Sequence, residues 1–252
     1  MMKYSIGEMF DLDGMNYSAM SKAKSAPKKY KKMMSEGRYI LTEKKDGFRY
    51  RAIIQDNYVT LQSRTRSRVD GMFVQKQDNV PHITEALIDY FPDETVVLGE
   101  VTYWNDNSKT SKDVTKIMGS LPKKAIQRQE DSGDFLYFYI FDVLMYDGED
   151  VSGLAYEDRI SILEKHNEEH LPSQYLPIAT FYRPEEYDLE ELTVNFLESG
   201  SEGVMLMKRD ERYHWDKRPA WTSIKIKQET METVDVVITG FVSPTKEFRG
   251  EH

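Results

Sequence analysis

With 252 residues, 39% of them hydrophobic and 31% charged, the chain can bury one sizeable core and the beginning of a second domain. It contains no cysteine, which removes disulfide frameworks, thiolate metal sites and cysteine nucleophiles together. A formal net charge of −9 argues against a protein that coats nucleic acid by bulk charge, yet it leaves room for a local basic face.

No apolar run is long enough to cross a bilayer and no charged-then-apolar leader follows Met1, so the sequence reads as soluble and intracellular. A lysine cluster (Lys22, Lys24, Lys28, Lys29, Lys31, Lys32) runs toward Arg38. From Tyr39 the pattern Y-I-L-T-E-K predicts a strand, broken at Asp46-Gly47. Phe48, Tyr50, Ala52 and Ile54 then alternate in a second strand, and Val59, Leu61 and Ser63 in a third. The three read as an antiparallel meander. Arg64, Arg66 and Arg68 follow. Further strands are expected at 96–101 and 135–144, the latter apolar enough to be the central strand with both faces buried. Helices are expected at 83–90, 158–168 and 189–197, the last with Asp188 as N-cap and Gly200 as its stop. Lys225 and Lys227 alternate on one late strand, and 234–240 predicts another. The fold class is therefore α+β, with a main domain over residues 1–228 and a linker plus one strand of a cut-off second domain over 229–252.

The stretch Glu43-Lys44-Lys45-Asp46-Gly47-Phe48-Arg49 carries the clearest chemistry. Lysine attacks phosphorus only as a neutral amine, and a free lysine is almost fully protonated at neutral pH. Lys45 and Arg49 are cations close enough in sequence to favour the neutral form. Taken alone, K-x-D-G in a turn is ordinary surface chemistry. Phe141 alone reads as core, Glu100 and Glu202 as exposed carboxylates, and Lys225 and Lys227 as the solvent face of a strand. His166 and His170, four apart on a helix, could hold a metal, but no third ligand is evident and a polar helix end is the simpler reading.

Lys44-x-Asp46-Gly47-x-Arg49 resembles the signature of the covalent nucleotidyltransferases, which comprise ATP-dependent DNA ligases, RNA ligases and messenger-RNA capping enzymes. Other motifs of that family follow in order: Ser63-Arg64, Leu98-Gly99-Glu100, Phe141-Asp142-Val143-Leu144, Ser201-Glu202-Gly203-Val204-Met205, and Trp221 with Ile224-Lys225-Ile226-Lys227. The ordering is what outweighs the blander reading of each residue. Arg49 and the last motif resemble the DNA ligases most. An RNA ligase or a GTP-dependent capping enzyme is the alternative within the family, and a non-catalytic nucleotide- or nucleic-acid-binding module the alternative outside it.

The resemblance implies an ATP-grasp-like nucleotidyltransferase domain of antiparallel sheets flanked by helices, followed by the truncated start of an OB-fold. It implies Lys44 as the nucleophile that becomes a covalent AMP adduct, with Asp46 and Glu202 as magnesium ligands. It implies nucleotide contacts from Thr42, Glu43, Arg64, Glu100 (to the ribose), Phe141 (stacked on adenine), Lys225 and Lys227 (to the α-phosphate), with Arg49 on the 5′-phosphate of a nick. The implied cofactors are ATP and Mg²⁺, and the implied partner is nicked double-stranded DNA. The implied setting is a monomer in the cytoplasm, host-encoded or carried by a virus or phage, serving DNA repair, replication or recombination. The sequence departs from the family after Ser63-Arg64, where Thr65-Arg66 stands in place of the usual glycine.

Overall fold

The computed structural model describes residues 35–104, 106, 108–215 and 221–227, together with 21, 22 and 32. The expected strand at 234–240, and with it the OB-fold start, lies outside the described residues.

Two sheets organise the chain. The first has four strands, in the order β1 (Ser21–Lys22), β10 (Ser223–Lys227), β9 (Gly203–Lys208) and β2 (Tyr39–Lys44). The second has six, in the order β5 (Phe73–Gln75), β4 (Tyr58–Arg66), β3 (Phe48–Gln55), β6 (Thr95–Thr102), β7 (Tyr137–Tyr146) and β8 (Glu149–Asp150). The expected meander is thus half right. β3 and β4 pair as antiparallel neighbours through a turn in which Asp56 and Asn57 both take positive φ, as a tight two-residue hairpin requires. β2 instead belongs to the other sheet, so the break at Asp46-Gly47 is where the chain crosses between sheets.

Gly47 is required at that crossing for space. A Cβ there would lie 2.2 Å from the Val101 carbonyl oxygen and 3.0 Å from the side chains of Glu100 and Thr102. The Thr102 hydroxyl donates to the Asp46 carbonyl at 3.0 Å and pins the crossing to the end of β6.

The main core lies on the face of the six-stranded sheet formed by Tyr50, Ala52, Ile54, Val59, Leu61, Val97 and Val101. It is covered by α1 (Pro81–Tyr90), α2 (Ser111–Met118), α3 (Pro122–Ser132) and α4 (Tyr156–Glu169), through Ile83, Leu87, Val114, Ala125, Ile160 and Leu163. β7 is buried on both faces as expected, but the sheet's centre is β3 and β6. A smaller core joins the four-stranded sheet to α5 (Leu189–Glu198) through Tyr39, Leu41, Val204, Leu206, Ile224 and Leu189. Asp188 caps α5 as its sequence position predicts, accepting from the backbone N–H of Glu190 (2.9 Å) and Glu191 (3.1 Å).

Strand parity places the site. On β2, Tyr39 and Leu41 enter the α5 core while Ile40 packs into the main core, so the alternate residues Thr42 and Lys44 face the space between the sheets. Among the described residues no helix is long and apolar enough to cross a membrane.

Candidate active site

A cavity of about 600 Å³ opens between the two sheets. One wall comes from β2, β9 and β10, the other from β3, β4, β6 and β7, and the α2 end (Thr115, Met118, Gly119) forms part of the rim. Ten of the eleven candidate site residues, Asp46 excepted, line this space.

Residues directly opposite one another in an antiparallel ladder share a face. Across the first wall one row reads Thr42, Met205, Lys225 and the next reads Lys44, Gly203, Lys227. Gly203, at φ +149, leaves no side chain between the two lysines, and a Cβ there would collide with the Ile226 carbonyl oxygen at 2.0 Å. Glu202 immediately precedes it. One of its carboxylate oxygens pairs with Lys44 Nζ, and the other lies 3.5 Å from Lys227 Nζ. The carboxylate therefore bridges both amines. Lys44 Nζ also donates to the Lys45 carbonyl at 3.4 Å.

Glu43 points away from this row and braces it. Its carboxylate accepts from Ser201 Oγ at 2.6 Å and pairs with Lys45 Nζ at 2.7 Å. Lys45 in turn lies 4.4 Å over the Trp104 ring, a cation–π contact that fixes the residue next to the nucleophile candidate. Asp46 sits on the crossing segment and is not among the cavity-lining residues.

On the opposite wall, Arg49 and Glu100 are cross-strand partners. A register shift between β6 and β7, where Leu98 pairs with Asp142 but Gly99 with Ile140, leaves Phe141 as the extra residue of a bulge. That bulge turns an apolar residue of a buried strand into the cavity, where the Arg49 guanidinium lies 5.3 Å from its ring. Asp142, beside it, also touches the cavity but is committed elsewhere. Its two oxygens accept from Arg159 Nε and Nη2, each at 2.8 Å, with both side chains almost fully buried. Tyr156 supports the bulge by donating to the Phe141 carbonyl at 3.3 Å.

Met205 and Met207 complete the apolar lining, with Val74 and Met118. The methionines are not among the candidates read from the sequence, although the alternation G-V-M-L-M-K carries the signal: Val204 and Leu206 are core, so Met205 and Met207 must face the other way. Arg64 lines the mouth from β4. Setting aside the Glu43–Lys45 and Asp142–Arg159 pairs, the lining holds Lys44, Arg49, Arg64, Lys225 and Lys227 against Glu100 and Glu202. A net positive cavity in an acidic chain suits a polyphosphate.

Burial pushes the Glu100 carboxyl up to about 7, with Lys44 and Arg49 pulling it back and Glu202 and Asp46 reinforcing the rise. An acid raised by burial stabilises the folded chain below its ordinary value of 4.5 and loses that contribution as pH climbs to about 7. Glu100→Gln cannot ionise. Its melting temperature should match the parent's near pH 4.5 and exceed it by pH 8, by an amount equivalent to at most about 3 kcal/mol. Thermal melts of both proteins across that range check this, and a constant gap would refute it.

Among the described residues no three His, Asp or Glu side chains cluster as a metal cage. His166 is buried at the α4 end, its Nδ1 2.8 Å from Tyr146 Oη and its Nε2 2.9 Å from the Tyr90 carbonyl, and it stacks on exposed His170 at 4.2 Å between centroids. It is a packed helix terminus. Magnesium is commonly held by one or two carboxylates plus substrate phosphates, a donor set that Glu202 fits where it faces the lysine row.

The family model of the ATP dependent DNA ligase domain matches residues 20–227, and the chain belongs to that family. A DNA ligase of Cenarchaeum symbiosum is 26% identical over 204 residues, which cover 78% of this chain and 32% of the archaeal protein. Mycobacterial DNA ligase D, solved with ATP and MES, superposes with a TM-score of 0.55 at 22% identity, covering 75% of this chain and 54% of the other. Chlorella virus DNA ligase-adenylate superposes with a TM-score of 0.51 at 20% identity, covering 76% and 61%. The fold is that of the nucleotidyltransferase domain of DNA ligases. The chain spans about a third of the length of the archaeal relative.

Proposed function

We propose that this chain is the catalytic, AMP-accepting domain of an ATP-dependent DNA ligase. The observation that carries the reading is the Lys44–Gly203–Lys227 row with Glu202 bridging its two amines, set in the wall of a cavity of nucleotide size.

The neutral Lys44 amine attacks the α-phosphorus of ATP in line. A P–N bond forms, the bond from the α-phosphorus to the bridging oxygen breaks, and pyrophosphate leaves with that electron pair. Glu202 is placed to hold the lysine aimed and to take up its proton. Lys225 and Lys227 face the same space and offset the charge that grows on the phosphoryl oxygens. Bound magnesium would supply further charge neutralisation on the phosphates, with Glu202 as its protein ligand. Glu100 accepts from a ribose hydroxyl, Thr42 lies by the base, and Arg64 and Arg49 close the mouth toward a DNA 5′-phosphate. The AMP then passes to that phosphate, and a 3′-hydroxyl displaces it to seal a nick.

The adenine is gripped between Phe141 and the methionines of β9. Phe141→Ala should weaken nucleotide affinity by about tenfold or more, since base–aromatic stacking is worth roughly 1–3 kcal/mol, and Phe141→Trp should restore it. Adenylation rates across ATP concentration separate this from a maximal-rate effect, and an unchanged half-saturation in both variants would exclude stacking.

The direct test is intact mass after incubation with ATP and Mg²⁺. Gain of one adenylyl group, labile to acid and stable to alkali, supports the reading. Labelling by GTP alone would redirect it to capping chemistry, and no gain with either nucleotide would leave a binding module. DNA and RNA nicks offered to the adenylated chain decide the polymer.

A further inference from the structure

Beside the cavity mouth lies a charge pattern of which the chemistry above uses only Arg64. Residues 109–128, which include α2 and the first two turns of α3, carry Lys109, Lys112, Lys116, Lys123, Lys124 and Arg128 against Asp113, and the carboxylates Glu130 and Asp131 follow only on the last turn of α3. Residues 64–76, which include the β4–β5 hairpin, carry Arg64, Arg66, Arg68 and Lys76 against the single carboxylate Asp70. Both segments reverse the sign of a chain whose net charge is −9.

The two segments are one body. The Asn79 side-chain amide, just beyond β5, donates to the carbonyls of Ile117 (3.1 Å) and Ser120 (3.0 Å) in the α2–α3 turn, and the Gln129 amide of α3 returns a bond to the Asn79 carbonyl at 3.1 Å. Each tip is also braced internally. Arg128 donates to Ser120 Oγ at 2.8 Å, and Arg66 donates to the Gly71 carbonyl at 3.0 Å while lying 4.1 Å over Phe73. Some of the cations serve the scaffold in the same way, with Lys116 on Asp113 at 2.7 Å and Lys109 on Asp134 at 3.1 Å. Lys112, Lys123, Lys124 and Arg68 are exposed, and none has a carboxylate within salt-bridge reach among the described residues. The same two segments expose two apolar side chains, Val69 at 97% and Leu121 at 79%.

We propose that the α2–α3 turn and the β4–β5 hairpin form a rigid ridge that grips the phosphate backbone of duplex DNA beside the cavity. The polymer's identity rests on the proposed function, and the ridge itself rests on charge and geometry. Thr115, Met118 and Gly119 of the same turn line the cavity, and so does Arg64 at the root of the hairpin, so a duplex on the ridge presents its strand break to the lysine row. Lys112, Lys123, Lys124 and Arg68 meet phosphates, while Val69 and Leu121 meet the sugar edges of the groove, a surface on which apolar side chains are at home.

The test compares the full chain with Lys123→Glu/Lys124→Glu, Lys123→Gln/Lys124→Gln and Arg68→Glu. Binding of a fluorescein-labelled nicked DNA duplex is titrated at several salt concentrations, and adenylyl mass gain is measured separately. The double charge reversal should bind at least about tenfold more weakly, with the slope of log affinity against log salt shallower by roughly one to two units, as expected for one or two lost phosphate contacts. The glutamine pair should fall between it and the parent, Arg68→Glu should also weaken binding, and all should adenylate like the parent. Duplex affinity and salt slope equal to the parent's in the reversed variants would overturn the ridge. Failure of the parent to adenylate would instead strike the proposed activity, because duplex binding is read without it.

Discussion

Lys44→Ala is expected to abolish covalent adenylation, a loss of at least about a thousandfold, while leaving the chain folded. The side chain is 20% exposed, stands on the cavity face of β2 and lies outside both hydrophobic cores that hold the strand, so its removal opens no void there. Alanine also removes a charge, and Glu202 is left with Lys227 as its cationic neighbour. Lys44→Arg separates the two effects. Arginine keeps a cation beside Glu202 but stays protonated, so it can bind the triphosphate and cannot attack it. Both variants should show no adenylyl mass gain, and Lys44→Arg should retain more ATP affinity in equilibrium titrations. A mass gain in either variant, with the adduct mapped to another residue, would displace Lys44 from its role.

Much of this site is legible in the sequence because the chemistry is carried by short segments at strand ends. The order of Lys44, Glu100, Phe141, Glu202, Lys225 and Lys227 along the chain identifies the family before any fold is known. What the sequence conceals is which strand lies beside which. The break at Asp46-Gly47 looks like a hairpin, since Asp-Gly is a favoured turn pair, and the tight packing of Gly47 on Val101 that makes it a crossing between sheets is a long-range contact. Phe141 looks like core because nothing local marks a bulge, which arises from the mismatch between β6 and β7. Glu43 adjoins Lys44 and lines the same cavity, but what the sequence does not show is that its carboxylate is held by Ser201 and Lys45. The helices α2 and α3 are also absent from the expected elements, although Thr110 and Asp113 form a capping box ahead of the first and Pro122 opens the second. α2 has only eight residues, and α3 buries only Ala125 and Gln129, so neither shows a clear apolar stripe.

Asp142 shows why a carboxylate at a cavity wall need not be part of the chemistry. It adjoins Phe141, touches the cavity and belongs to one of the ordered motifs, so it invites a role as a metal ligand. Its geometry answers otherwise, because both oxygens are engaged by Arg159, and that guanidinium also donates to the carbonyls of Leu154 (2.9 Å) and Glu211 (3.3 Å). The pair ties β7 to α4 and to the loop after β9, directly behind the bulge that aims Phe141. Breaking a buried ion pair from one side strands the remaining charge and costs about 3–5 kcal/mol, a large part of a typical domain's stability. Asp142→Ala and Arg159→Ala should each lower the urea midpoint by that equivalent, and each should lose adenylation because the fold loosens. Replacing both with apolar residues, Asp142→Leu with Arg159→Met, should recover much of the midpoint, since neither charge is then left alone. A ligand role predicts the opposite pattern, in which Asp142→Ala keeps the parent's urea midpoint, loses adenylation, and regains it as Mg²⁺ is raised.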